Sequence, residues 1–410
     1  MNESGPKRSL PLRDVKICDL MWVMAGPAST RILADYGARV VRVESPSRMD
    51  AARTVGPFHH NQIGPDSSAL FGNNNAGKLD LALDLNQPQA REVVLDLVRW
   101  ADVVTESFTP KAMRAWRLDY ESLRQVKPDL IMLSSCLMGQ SGPLAMYAGF
   151  GNLASAMAGF YNICGWPDRP PAGPFSAYSD YVAPRFTAVA ILAALDHRRR
   201  TGEGQYIDQA QSESALHFLA PAILDHGVNG RVWDRCGNRD RDYAPHGVYP
   251  ASGDDRWVAI VCRTDDEWRA LCAVIEQPQL AGDERFGTPA ARIRNAGALD
   301  ELLARWTGGR DRYEIERDLQ EVGIAAAVVQ DSADCMNDPQ LRHRGHLVEL
   351  PHPSLGRTVV EGTRFKLSRT PAEITRAAPS LGQDNQYVLE EILGYSEERI
   401  SALVQSGALG

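Results

Sequence analysis

Asp180, within Ser176-Ala177-Tyr178-Ser179-Asp180-Tyr181, stands just ahead of an apolar stretch that closes on a basic run and Thr201-Gly202-Glu203-Gly204-Gln205. A carboxylate near the N–H groups that open a helix stays ionised, and an ionised carboxylate is a nucleophile. The same position also suits a capping or solvated turn residue, which is what most aspartates before helices are. Three other segments could meet a ligand. Trp22-Val23-Met24-Ala25-Gly26-Pro27 reads as a turn where a backbone could approach an anion, or as a tight turn with no ligand. It lacks G-x-G-x-x-G and G-K-[ST]. Asn73-Asn74-Asn75-Ala76-Gly77-Lys78 reads as a polar loop that either sets a cation against a phosphate or is simply solvated. Glu106-Ser107-Phe108-Thr109-Pro110 offers an aromatic face for an adenine ring, or a core phenylalanine at a strand end. His59-His60 and His343-Arg344-Gly345-His346 lack the spacing of a metal site.

These residues need elements to hold them. Apolar runs over 15–20, 38–44, 102–105 and 130–135 read as strands, and 28–36, 90–100 and 120–126 as helices. That alternation is the unit of a doubly wound parallel α/β sheet, with ligand loops at the carboxyl ends of its strands. Pro184 fits the first turn of a helix over 183–195, His197 to Arg200 suit its negative end, and Gly202 stops it. Past a loop-like stretch over 231–247, strands at 256–262 and 325–329 with helices at 265–275 and 312–322 describe a smaller α/β module.

The chain has 410 residues, room for two or three domains, with 44% hydrophobic and 23% charged residues. A net charge of −8 argues against nucleic acid as a partner. Seven cysteines without a C-x-x-C pair suggest free thiols in a reducing compartment. Residues 1–13 are polar, so no signal peptide is expected, and no run nears the ~20 apolar residues that span a bilayer. The expectation is a cytoplasmic protein with no membrane partner and no metal.

Taken in order, the segments resemble the class III coenzyme A transferase family (CaiB/BaiF type), which includes formyl-CoA transferase and α-methylacyl-CoA racemase. The resemblance rests on Leu33-Ala34-Asp35-Tyr36-Gly37-Ala38, an N-x-x-K loop at Asn75–Lys78, and Glu106-Ser107-Phe108-Thr109-Pro110. It extends to Gly139-Gln140-Ser141-Gly142-Pro143 and to the stretch from Asp180 to Gln205. Gly151-Asn152-Leu153-Ala154-Ser155, Gly165-Trp166-Pro167-Asp168-Arg169-Pro170 and the residues after Asp180 look most like the benzylsuccinate CoA-transferase branch, which uses succinyl-CoA as donor.

The resemblance implies a large Rossmann-like CoA-binding domain over 1–220, linkers at 221–241 and 331–343, a small α/β domain over 242–330, and a segment over 344–410 returning to the large domain. Two such chains would interlock as a homodimer, or pair with a related subunit. It implies Asp180 as nucleophile, passing coenzyme A from an acyl-CoA to a carboxylic acid through an aspartyl anhydride and an aspartyl-CoA thioester. No tightly bound cofactor is implied. Val23, Ala25, Lys78 and Phe108 would line the coenzyme pocket. Ser45 and Ala115 stand where some members place arginines, so Arg42, Arg53 and Arg114 are expected to meet phosphates instead. Trp22 stands where some members have His, and Gly151 where many carry Asp or Glu. Two alternatives remain. One is a racemase, although Ala148-Gly149-Phe150-Gly151 lacks the histidine of that mechanism. The other is a non-catalytic subunit of a heteromeric transferase. Gly237 and Gly247 are candidate oxyanion donors.

Overall fold

The computed structural model describes residues 9–410; the stretch Met1–Arg8, most of the segment read as lacking a signal peptide, lies outside them. The chain divides into two compact units. The larger runs to Tyr161 and takes in Gly173–Val232 and Gln340–Gly410; the smaller holds Asn162–Ala172 and Trp233–Pro339. The chain thus enters the smaller unit once before Asp180, which a single boundary after residue 220 does not anticipate.

Six parallel strands form the centre of the larger unit: β1 (Lys16–Leu20), β2 (Arg39–Glu44), β3 (Leu79–Ala82), β4 (Val103–Glu106), β5 (Ile131–Cys136) and β6 (Gln205–Ala210). Their order is β3-β2-β1-β4-β5-β6, so the winding reverses between β1 and β4, and the crevice beyond their carboxyl ends is where such sheets bind ligands. The helices are α1 (Ala25–Asp35), α2 (Ala69–Asn75), α3 (Pro88–Trp100), α4 (Pro110–Trp116), α5 (Tyr120–Leu123), α6 (Gly151–Met157), α7 (Phe160–Ile163) and α8 (Tyr178–Thr201). Side chains alternate across the sheet. Ile17 packs on one face with Leu33 of α1 and Ile191 of α8. Cys18 and Leu20 pack on the other with Val94 and Leu97 of α3 and with Leu389 and Leu403 from the C-terminal stretch. Both faces are covered, which is why the strands read as near-continuous apolar runs.

Two expectations are corrected, and two are filled in. The helix containing Pro184 begins at Tyr178, so Asp180 lies in its first turn and not ahead of it. Pro184 sits inside the helix, where it has no N–H to give the Asp180 carbonyl. Asn73–Asn75 end α2 instead of forming a loop, and β3 follows at once. The expected linker over 221–241 starts as helix, since Ala220–Asn229 is helical. The one over 331–343 is helical at Ser332–Asn337, where Asp331 and Asp334 form a reciprocal cap, and at Pro339–His343. Gly202 closes α8 in the left-handed conformation, and Gly204 passes so close to the Asp129 and Leu130 backbone that no Cβ fits there.

The smaller unit is a three-stranded antiparallel sheet, β7 (His246–Pro250), β8 (Trp257–Val261) and β9 (Ala325–Val328), in the order β7-β8-β9. Helices Asp265–Val274, Ala296–Thr307 and Arg312–Glu321 contribute Trp268, Leu271, Leu303, Ile315 and Leu319 to its core. The antiparallel hairpin β10 (Leu347–His352) and β11 (Gly356–Glu361) belongs to the larger unit. Among the described residues, no helix is long and apolar enough to cross a membrane, and no group of His, Cys, Asp or Glu is placed to hold a metal ion.

Candidate active site

A cleft of about 320 Å³ opens at the carboxyl ends of β1 to β4, the place the strand order singles out. Leu20, Val43, Leu83 and Leu85 give it an apolar floor, and Trp22, Phe108 and Trp116 supply aromatic rings. The Phe108 ring meets Trp22 edge-on at 5.5 Å and Trp116 at 5.2 Å. Arrays of this kind accept a further flat ring readily.

The rings are pinned through the backbone. Trp22 Nε1 donates to the Val43 carbonyl at 3.1 Å, and its N–H donates to Ser107 Oγ at 3.0 Å. The Phe108 N–H donates to Glu106 Oε2 at 2.7 Å, and its carbonyl accepts from Gln140 Nε2 at 3.2 Å. The Glu106 carboxyl that makes this clamp is itself buried, and burial pushes it up to about 7. At the rim, the exposed Arg48 guanidinium has no ion-pair partner among the described residues and is free to meet an anion.

Of the residues expected here, the cleft contains Phe108 and also Trp22, but not Val23 or Ala25. Val23 holds φ at 70°, rare for a β-branched residue, and its N–H donates to both Asp50 carboxylate oxygens at 2.9 and 3.1 Å. Such backbone persists only where surrounding contacts impose it. Ala25 is buried as the first residue of α1. Arg114 lines a separate cavity with Glu106, Tyr120 and Asp208.

Three cations expected at the coenzyme, Arg42 and Arg53 at its phosphates and Lys78 in its pocket, are held by protein groups in this structure. Arg42 is fully buried, with Nη2 on Asp50 Oδ2 at 2.6 Å, Nη1 on Asn75 Oδ1 at 3.2 Å and Nε 3.3 Å from Asp80 Oδ2. Arg53 is buried on Glu44 at 2.9 Å and Asp66 at 3.2 Å, with Phe71 against its guanidinium plane. Lys78 spends its three N–H groups on Asp19 Oδ2, the Pro27 carbonyl and Asn75 Oδ1 at 3.1, 2.9 and 3.0 Å. Burial pushes that ammonium down to about 8. These cations brace the strand ends from within and offer nothing to a phosphate in this arrangement. Arg48, Trp116 and Leu85, which the sequence reading passed over, line the cleft instead. The signal for Arg48 was its place just past β2, within Ser45-Pro46-Ser47-Arg48.

Asp180 is 6% exposed. Burial pushes its carboxyl up to about 6, and the Gly151 N–H is the one group pulling it back. The expectation that nearby helix N–H groups keep this acid ionised leaves out desolvation, which is the larger effect here. The carboxylate is still ionised at neutral pH, and a desolvated anion of this kind is a competent nucleophile. Turnover that uses it has a definite pH dependence. The ionised form is the reactive one, so kcat/KM rises with pH through about 6 and levels off above. A profile flat through that region removes Asp180 from the rate equation. Gly237 and Gly247, the candidate oxyanion donors, belong to the smaller unit, where they lie against Trp166 and Tyr249.

A profile for "CoA-transferase family III" matches residues 12–385. The chain is 32% identical over 403 residues to succinyl-CoA–D-citramalate CoA-transferase of Chloroflexus aurantiacus, spanning 98% of each protein. It is 31% identical over 398 residues to the alpha subunit of succinyl-CoA–L-malate CoA-transferase from the same species, spanning 97% of this chain and 92% of that one. Among solved structures, a CaiB/BaiF family protein from Brucella suis matches with a TM-score of 0.86 at 31% identity, over 94% of this chain and 100% of the other.

Proposed function

The chain belongs to CoA-transferase family III, and from that premise we propose that it passes coenzyme A from succinyl-CoA to a carboxylic acid by way of covalent intermediates on Asp180. The observation that carries the reading is a buried carboxylate set in the first turn of α8 and lying against the bare Cα of Gly151.

An Asp180 oxygen attacks the thioester carbonyl of the donor; the C–S bond breaks and CoA thiolate leaves, giving a mixed anhydride. The thiolate then attacks the aspartyl carbonyl of that anhydride, releasing the donor acid as carboxylate and leaving an aspartyl-CoA thioester. The acceptor carboxylate attacks this thioester, CoA thiolate leaves again, and a second anhydride forms. Attack of the thiolate on the acceptor's acyl carbon frees the new acyl-CoA and restores the Asp180 carboxylate. No proton or water is consumed, and the burial of Asp180 suits a sequence whose anhydrides must be kept from water.

The cleft of Trp22, Phe108 and Trp116 is the proposed seat of the coenzyme's adenine, with Arg48 at a phosphate. The proposed donor and acceptor class are supported by the two relatives, both named for succinyl-CoA and a dicarboxylic hydroxy acid. Benzylsuccinate, the acid of the branch suggested by the sequence motifs, is a dicarboxylate as well. The proposed assembly is a homodimer. It is supported by the apolar side chains that α8 and the helix Ala220–Asn229 leave uncovered, Phe186, Val189 and Leu192 on the first and Ile223, Leu224 and Val228 on the second. A pairing with a related subunit is the second reading, favoured by the relative that is itself an alpha subunit. The proposed setting is the cytoplasm, where seven unpaired thiols stay reduced.

The deciding assay mixes the purified chain with succinyl-CoA and a panel of acids containing malate, citramalate and benzylsuccinate, and reads new acyl-CoA by mass spectrometry. A new thioester is expected from the chain alone. None from any acid, with or without a related subunit, rejects the catalytic reading, while transfer that starts only when a second subunit is added selects the heteromer. In the same assay Phe108→Ala raises KM for succinyl-CoA about tenfold with little change in kcat, the loss of one stacking partner. An unchanged KM moves the adenine elsewhere.

A further inference from the structure

The Asp180 carboxylate rests against a residue that has no side chain. A Cβ placed on Gly151 would stand 2.6 Å from Asp180 Cγ and 2.8 Å from each carboxylate oxygen. These separations are far inside van der Waals contact, so the carboxylate occupies the volume that any side chain at 151 would need. The requirement is for space. Gly151 opens α6 with ordinary helical geometry and is not among the glycines with positive φ.

Two serines secure this seat, and both are completely buried. Ser155 Oγ donates to the Gly151 carbonyl at 2.8 Å, and Ser179 Oγ donates to the same carbonyl at 3.1 Å. The Ser179 N–H in turn donates to Ser155 Oγ at 3.2 Å. The result is a closed ring: one carbonyl with both lone pairs used, and one hydroxyl that gives to the carbonyl and accepts from α8. It joins the first residue of α6 to the residue immediately before Asp180. α8 has no side-chain cap of its own, because Ala177 stands at that position, so this ring is what ties its first turn down.

We infer that Gly151, Ser155 and Ser179 are positioning residues for the nucleophile: the serines fix where the first turn of α8 sits, and the bare Cα of Gly151 leaves the carboxylate the room to lie there. The inference rests on the reading of Asp180 as nucleophile. A carboxylate at position 151 would collide with Asp180 in its present pose. The nucleophile is thus seated by a backbone carbonyl, two hydroxyls and an empty place, with no second acid. Covalent chemistry is sensitive to such seating, since a reacting atom displaced by about 1 Å can lose on the order of a hundredfold in rate.

The test uses the full chain and four single variants, Gly151→Ala, Ser155→Ala, Ser179→Ala and Asp180→Ala, each checked for folding by thermal melt. Gly151→Ala is expected to lower kcat about a hundredfold with KM for succinyl-CoA unchanged, because the coenzyme cleft is made by other residues. The serine variants remove one oxygen apiece, fold even if Gly151→Ala does not, and are expected to lower kcat at least about tenfold with the same unchanged KM. They also move the acid limb of the pH profile upward, since a carboxylate that drifts from the Gly151 N–H loses the one contact favouring its charge. A purely structural ring would lower the melting temperature and leave kcat and the acid limb alone. That result in both serine variants overturns the inference, as does wild-type turnover in a folded Gly151→Ala. Asp180→Ala separates the two claims: if it is dead while the serine variants are fully active, only the positioning role falls, and if it is active the nucleophile assignment falls with it.

Discussion

Asp180→Ala should leave no measurable coenzyme transfer while binding succinyl-CoA as the wild type does. Loss of a covalent nucleophile in other enzymes costs on the order of 10⁴ to 10⁶ in kcat, and no other acid lies within the ring that seats Asp180. Binding is spared because Trp22, Phe108, Trp116 and Arg48 stand on other elements and take no hydrogen bond from Asp180. Asp180→Asn is the sharper control, for it keeps the shape and removes only the charge; it should be equally inactive. Stability should not fall. The buried carboxyl is held up at about 6, which means that folding penalises its charged form at neutral pH, so a small apolar replacement removes a cost. The signature is therefore a dead enzyme with an undiminished melting temperature and intact calorimetric titration with succinyl-CoA. Peptide mass spectrometry of wild-type chain quenched during turnover should find coenzyme A on the peptide containing Asp180. Near-wild-type rates in the Ala variant, or the adduct on another residue, end the mechanism.

Much of this arrangement is legible in the sequence, and where legibility stops has a physical cause. The β1–α1–β2 unit can be read because Ile17, Cys18 and Leu20 form an apolar run and Gly37 ends the helix between the strands with φ at 106°. Phe108 can be read as a ligand-facing ring because it follows a strand. Trp116 and Arg48 cannot, since only the strand order brings residues so far apart in the chain to one cleft. The start of α8 is misread for a different reason. Pro184 is a strong local signal for a first turn, yet the helix begins six residues earlier, held by the contacts of Ser179 with Gly151 and Ser155. Tertiary contacts there outweigh local preference.

The run from Asn73 to Lys78 fails most instructively. Three asparagines and a lysine look solvated, but Asn75 and Lys78 are wholly buried, their polar atoms satisfied by Asp19, Pro27 and Arg42. Polarity predicts exposure only when partners are absent, and these partners come from two strands and a helix dozens of residues away. For the same reason β3 escapes notice, since Asp80 in its middle faces Arg42 and Arg53 and not water.

That buried network yields a second large effect. Arg42→Leu should destabilise the fold by about 3–5 kcal/mol, the usual result of removing one partner from a buried ion pair. Arg42 is the hub of the network: Glu44, Asp50 and Asp80 all lie within ion-pairing distance of its guanidinium, and all are fully buried. Leucine fills most of the volume and leaves three carboxylates without their shared cation. The loss has a pH signature. Burial already pushes the Asp80 carboxyl up to about 7 although Arg42 opposes it, so without the arginine that acid must rise further. An acid whose pKa is higher folded than unfolded takes up protons on folding, so its variant is relatively better off at low pH and worse as pH rises through that value. The gap in urea midpoint between Arg42→Leu and wild type should therefore widen from pH 6 to pH 8, roughly the window around the Asp80 value. The phosphate-contact reading of the sequence predicts the opposite pattern, a raised KM for succinyl-CoA with an unchanged urea midpoint. Finding that pattern would mean that Arg42 turns outward when coenzyme binds, and that the network seen here is only its resting place.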